Sequence, residues 1–168
     1  MRRNENGQVL AETGLVIGLL IIVTLGIVEF GWVFFALHMV TNAARDGARA
    51  ASALLNRGTC GDFTDTSTIG PLVTSRLTGI ATVDGSVAGG CCPAGVCVQQ
   101  CNAASDGTLT CGISYPSAPC HVYTGDPIPV VKVTVAGHIS DIFGLLGNRL
   151  YPFCRAVTFR DLGRKEVN

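Results

Sequence analysis

The sequence predicts an α+β protein. One long N-terminal transmembrane helix packs by its C-terminal half on a small, disulfide-rich, antiparallel β-sheet head. Three observations carry this reading. Residues 13–28 hold no charged side chain, and after Glu29 the apolar run resumes through Val40. All eight cysteines, Cys60, Cys91, Cys92, Cys97, Cys101, Cys111, Cys120 and Cys154, lie beyond that run. In "PVVKVTVAGHI" (129–139), Val131, Val133 and Val135 share one face and Lys132 and Thr134 the other, the alternation of a half-buried strand.

The elements follow in order. Residues 1–7, "MRRNENG", form a short polar, basic leader. Residues 8–56 form the long helix, with no proline between Gln8 and Leu55. At 1.5 Å per residue it is about 70 Å long, more than twice a hydrocarbon core of about 30 Å. Its rear half must therefore stand clear of lipid or pack on something. There "NAARDGARAAS" (42–52) favours helix. Arg45, Asp46 and Arg49 reach water, while Ala44, Ala48 and Ala51 offer a flat face that a helix or sheet can approach closely. Gly47 reads as a local weakness. A stop follows at 56–61, with Gly58 as the helix-ending residue.

Residues 57–168 form the head. Pro71 is expected to open a short helix, "PLVTSRLTGI" (71–80), because proline fits a first turn. "ATVDGSVAG" (81–89) reads as two short strands about an Asp84-Gly85 turn. Residues 89–121, rich in Gly, Cys, Ser and Pro, read as a stapled loop with short strands. The valine strand comes next, then a turn at "DIFGLLGN" (141–148). The closing strand, "YPFCRAVTFRDLG" (151–163), has a phase obscured by Pro152. No internal repeat is present.

Composition excludes several functions. Net charge is zero, so nothing favours a nucleic-acid partner, which calls for a basic excess. The apolar run is longer than the ~7–15 residues of a cleaved secretory signal, and no small-residue cleavage site interrupts it. An even number of clustered cysteines reads as a disulfide framework in an oxidising space, which puts the head outside the cytoplasm. Arg2 and Arg3 ahead of the helix agree with that orientation, though Arg45, Arg49 and Arg57 follow it. Cys92, Cys97, Cys101 and His121 meet zinc spacing only loosely, so neither metal nor cofactor is expected. No C-x-x-C pair exists, and adjacent Cys91 and Cys92 are expected to bond elsewhere, because their own ring would be strained. His38 lies in the apolar helix, His138 on the valine strand and His121 in the loop, where a lone His is more often a packed or surface residue than a catalyst, and no G-x-S-x-G or phosphate loop occurs. Catalysis is not expected.

A carboxylate at the head of an apolar helix is costly in lipid unless paired. If the chain were cut after Gly7, Gln8 would carry a free amine, and Glu12 would be the fifth residue of the mature chain. In a stack of helices, the amine of one subunit could meet the Glu12 carboxylate of the next and set their register. A basic leader, a Gly, four residues, a Glu and an apolar helix together resemble a type IV prepilin signal. More narrowly, "GQVLAE" (7–12), "LGIVEFG" (25–31) and "TNAARDGARAA" (41–51) resemble the TadE-like pseudopilins of the tight-adherence (Tad) pilus system. "VKVTVAGHISDIFGLLG" (131–147) is similar to that family's closing strand and leucine-rich turn. Thr13 stands where many such proteins carry an aromatic residue, and the cysteine-rich span lies outside the usual pattern.

The resemblance implies a pilin-like fold and a processing site at Gly7, Gln8 and Glu12 cut by a prepilin peptidase. It implies a bacterial inner-membrane location with the head outside the cytoplasm, and passage to a cell-surface pilus. It also implies a minor pseudopilin that helps start, cap or assemble the filament, acts in adhesion, and has other pilin subunits as partners. Glu12, Gly14, Gly18 and Glu29 are the candidate helix–helix interface, Gly14 and Gly18 because G-x-x-x-G permits close approach. Glu29 has a second reading, as a marker of the outer membrane boundary beside Trp32. Two alternatives stay open: the main filament subunit, and an uncut membrane-anchored module whose head binds a ligand.

Overall fold

The computed structural model describes residues 5–54, 66–87, 91–112, 128–143 and 150–160. Its elements are α1 (Glu5–Leu54), α2 (Thr66–Leu77), β1 (Thr82–Val83), β2 (Val96–Ala103), β3 (Leu109–Cys111), β4 (Ile128–Ser140) and β5 (Leu150–Arg160). The α+β architecture is as the sequence predicts: a long apolar helix with its rear half laid on a small antiparallel sheet.

β4 is the axis of the sheet. One of its edges pairs with the whole length of β5, from Val130↔Arg160 to Ser140↔Leu150. Its other edge is shared by β2, from Val96↔Val135 to Ala103↔Ile128, and by β1 at Thr82↔His138 and Val83↔Gly137. β3 extends the sheet beyond β2. Gly137 makes room for β1, since a side chain there would run into the Thr82 carbonyl.

α1 and α2 cover one face of the sheet. Val131, Val133 and Val135 of β4, Val96 and Val98 of β2, and Phe153 of β5 point into this core, as strand alternation requires. Ala36, Val40, Ala43, Ala44, Ala48 and Ala51 meet them from α1. Small side chains at these positions let the helix axis sit close to the sheet. Gly47 belongs to that contact and is more than a weak point: a Cβ there would lie 2.7 Å from Val73 Cγ2 and 3.4 Å from Ile69 Cγ2 of α2. Gly47→Leu should therefore cost about 1–3 kcal/mol through overpacking, read as a lowered midpoint in chemical denaturation. An unchanged midpoint would show that α2 gives way freely.

Three expectations need correction. α2 starts at Thr66, so Pro71 lies inside the helix and not in its first turn. Ile69, Val73 and Leu77, one helical turn apart and buried, outweigh the one hydrogen bond Pro71 cannot donate. Thr82 to Val87 form no hairpin. Asp84 bonds forward to Ser86 and β1 pairs with β4 instead. Within the cysteine-rich span the strand β2 is longer than a short strand in a loop: it runs for 8 residues, with Val96, Val98 and Gln100 buried.

The sheet face turned away from the helices carries the sulfur. Cys91 bonds Cys154, Cys92 bonds Cys97 and Cys101 bonds Cys111, the last directly across β2 and β3. Adjacent Cys91 and Cys92 thus take different partners. Cys60 and Cys120 lie outside the described residues, as do the stop at 56–61 and His121.

Candidate functional site: the apolar rod and its junction with the head

From Val9 to Val28 no side chain of α1 is buried. Large apolar residues stand in the open, among them Leu10 at 73 % and Ile22 at 69 % exposure. The exposed stretch spans 20 residues, about 29 Å along the axis, close to the thickness of a hydrocarbon core. Among the described residues, Val9–Ser52 is long and apolar enough to cross a membrane, and almost none of its most apolar window is buried. Thr13 and Thr24 satisfy their hydroxyls within the helix by donating to the Val9 and Leu20 carbonyls, each at 2.8 Å, as a segment in lipid requires.

Burial begins abruptly at Glu29, 3 % exposed. Its carboxylate accepts the backbone N–H of Ile142 at 3.2 Å and of Phe143 at 3.3 Å. One turn further on, Trp32 Nε1 donates to the Ser140 carbonyl at 3.2 Å, and the Trp32 ring leans on Phe35 with centroids 5.8 Å apart. Two side chains of the rod therefore hold the turn that ends β4. Neither sequence reading of Glu29 contains this contact within its own chain. The residues lie 113 and 114 positions apart, and no local pattern links them.

Gly7 and Gln8, the expected processing site, lie within α1, which is helical from Glu5 onward. Glu12 is exposed, with no partner among the described residues. At 100° per residue, Gly14, Gly18 and Glu29 fall within about 60° of one another, on the side that carries the head. Glu12 lies about 100° round the axis from Glu29 and about 160° from Gly14. The helix thus gathers three of the four candidate interface residues on one side and sets Glu12 apart.

The described residues of the head carry two disulfides, Cys92–Cys97 and Cys101–Cys111, where the sequence offered loose zinc spacing. Cys92, Cys97 and Cys101 are all engaged in disulfides, so those sulfurs are not open to a metal. No group of three potential metal ligands occurs among the described residues. His138 Nδ1 donates to Asp84 Oδ2 at 3.0 Å, tying β4 to the segment after β1. Ser86 donates to Asp84 Oδ1 through its hydroxyl at 2.7 Å and its N–H at 3.0 Å. Ser86 first, and His138 second, hold the Asp84 carboxyl down to about 2 from its usual 3.8. Hydrogen bonds from Thr108 likewise lower Asp106 in the β2–β3 turn. The sign follows from linkage: a depressed carboxyl stabilises the fold above its unfolded value, and the effect is lost as pH falls through the folded one. Asp84→Asn should lower head stability by a constant amount above about pH 4, and the difference should close toward about pH 2. The side chain is 35 % exposed, so screening keeps the effect modest. A difference that persists at pH 2 in acid-unfolding curves would exclude this origin.

An apolar rod sized to a bilayer, continuous with a helical half that packs on a stapled sheet, is the architecture of a membrane-anchored protein. The family model described as TadE-like protein matches residues 7–49, which is the resemblance the sequence carries. The match takes in the rod and its small-residue face and leaves the head outside it. No curated protein and no solved structure gives a match.

Proposed function

We propose that this chain is a minor pseudopilin of a Tad-type pilus, made in the inner membrane with its head outside the cytoplasm. The family match supports an association with a Tad pilus. One observation supports the finer role: a 20-residue length of helix with no buried side chain, carrying Glu12 near its start. An apolar rod of that kind is stable in lipid or among other such rods.

In this reading a prepilin peptidase cuts between Gly7 and Gln8. The new amine of Gln8 meets the Glu12 carboxylate of a neighbouring subunit as the rod moves from bilayer to filament. Either charge alone is expensive in an apolar setting, and the pair offsets that cost while fixing the stagger between subunits. The head, fixed by its disulfides, stays outside the helical core and is free to contact surfaces in adhesion. The chain's work is assembly, with no catalytic step of its own.

The test is the intact mass and N-terminal sequence of protein taken from cells. The expected chain begins at Gln8. A chain that keeps residues 1–7 favours the uncut, membrane-anchored binding module instead.

A further inference from the structure

Ile142 and Phe143 are each 48 % exposed, yet their backbone N–H groups are fixed by Glu29. Glu29 is the first residue past the unburied length of α1, which fits the depth of a hydrocarbon core. The Ile142–Phe143 turn is therefore tied at the level where lipid tails give way to head groups. Trp32, whose ring and N–H suit that zone, holds the same turn through Ser140. Exposed Ile27 and Phe30 flank Glu29 on the rod, so the apolar surface of the span is continuous with the level of the turn. A buried carboxylate that only marked the boundary would not need to bind two backbone amides of the head.

We propose that the 141–143 turn is a second membrane contact: Ile142 and Phe143, clamped to the rod by Glu29 and Trp32, insert into the boundary layer of the bilayer that α1 crosses. The occupant is lipid, because the geometry that places the turn is the span itself. Glu29 acts as a positioning residue. It neutralises two amide donors that would otherwise oppose insertion, and it fixes the angle at which the head leaves the membrane. This inference rests on the membrane-anchored reading above.

The test uses the full chain in phosphatidylcholine–phosphatidylglycerol vesicles. Trp32 is the sole tryptophan, so Trp32→Phe with Phe143→Trp moves the single reporter to the turn, giving up the Trp32 tie and leaving the two Glu29 amide bonds to hold it. The chain should float with the vesicles. Lipid brominated high on the acyl chain should quench the reporter at least about twofold relative to plain lipid, as expected for an interfacial aromatic. Deep bromination should quench it less. Adding Glu29→Ala should relieve the quenching while flotation persists. The natural chain supplies a check free of substitutions: a lipid with a shallow photo-crosslinker should label Ile142 or Phe143. Failure to float overturns the anchored reading together with this one. Flotation with equal emission in brominated and plain vesicles, and labels confined to the span, overturns this inference alone. Shielding of the reporter that grows with protein-to-lipid ratio and ignores bromine assigns the turn to a second copy of the chain, and also overturns it.

Discussion

Glu12→Ala should leave the chain in the membrane and remove it from assemblies. The substitution takes a charge out of an apolar helix, so insertion becomes easier. In the filament it would strand the Gln8 amine of a neighbour without its counter-charge. Breaking one side of a buried ion pair costs about 3–5 kcal/mol, a hundredfold or more in an association constant. Glu12→Gln keeps an acceptor without the charge and should fall between. Flotation reports insertion, and co-purification with other pilin subunits from sheared filaments reports assembly. Normal incorporation of Glu12→Ala would end the pairing role assigned to this residue.

Among the three described disulfides, loss of the Cys91–Cys154 bond should damage the head most. It closes a separation of 63 residues, against 10 for Cys101–Cys111 and 5 for Cys92–Cys97. On the chain-entropy account the three contribute about 4, about 3 and about 2 kcal/mol, in that order. Cys91→Ala with Cys154→Ala should therefore lower the denaturation midpoint most, and Cys92→Ala with Cys97→Ala least. The helical signal of the rod should survive all three, because none of these six cysteines lies on the helix. An inverted order would show that packing of the buried Cys92 and Cys101 side chains, and not loop closure, sets their worth.

Features written in one local period are legible in the amino-acid sequence by itself. The rod follows from an unbroken apolar run, the core face of β4 from Val131, Val133 and Val135, and the close approach of helix to sheet from Ala44, Ala48 and Ala51. Features that depend on what a segment meets are not legible in this way. The cysteines of β2 mask a strand, although Val96 and Val98 alternate within it. Pro71 suggests a late start for α2, while the spacing of Ile69, Val73 and Leu77 carries the helix straight past it. The phase of β5 is fixed by its register with β4, which turns Phe153, Val157 and Phe159 inward. Glu29 is the clearest case. An acid in an apolar run invites a partner on another chain, while its observed partners are two amides brought near by the entire course of the head. For the candidate site, Gly7, Gln8 and Glu12 form a local pattern that the sequence displays, and the clamp at the junction does not.

On the proposed assembly reading, the rod would have two working sides. Gly14 and Gly18, which admit close approach, look the same way as the head, and Glu12 looks elsewhere. One companion cannot satisfy both, so an isolated pair would leave either a small-residue seam or a carboxylate facing oil. Only a packing in which every subunit has at least two differently placed neighbours uses the whole circumference. That favours an extended helical lattice over a closed dimer, and it makes the end of such a lattice, where one flank stays empty, chemically different from its middle.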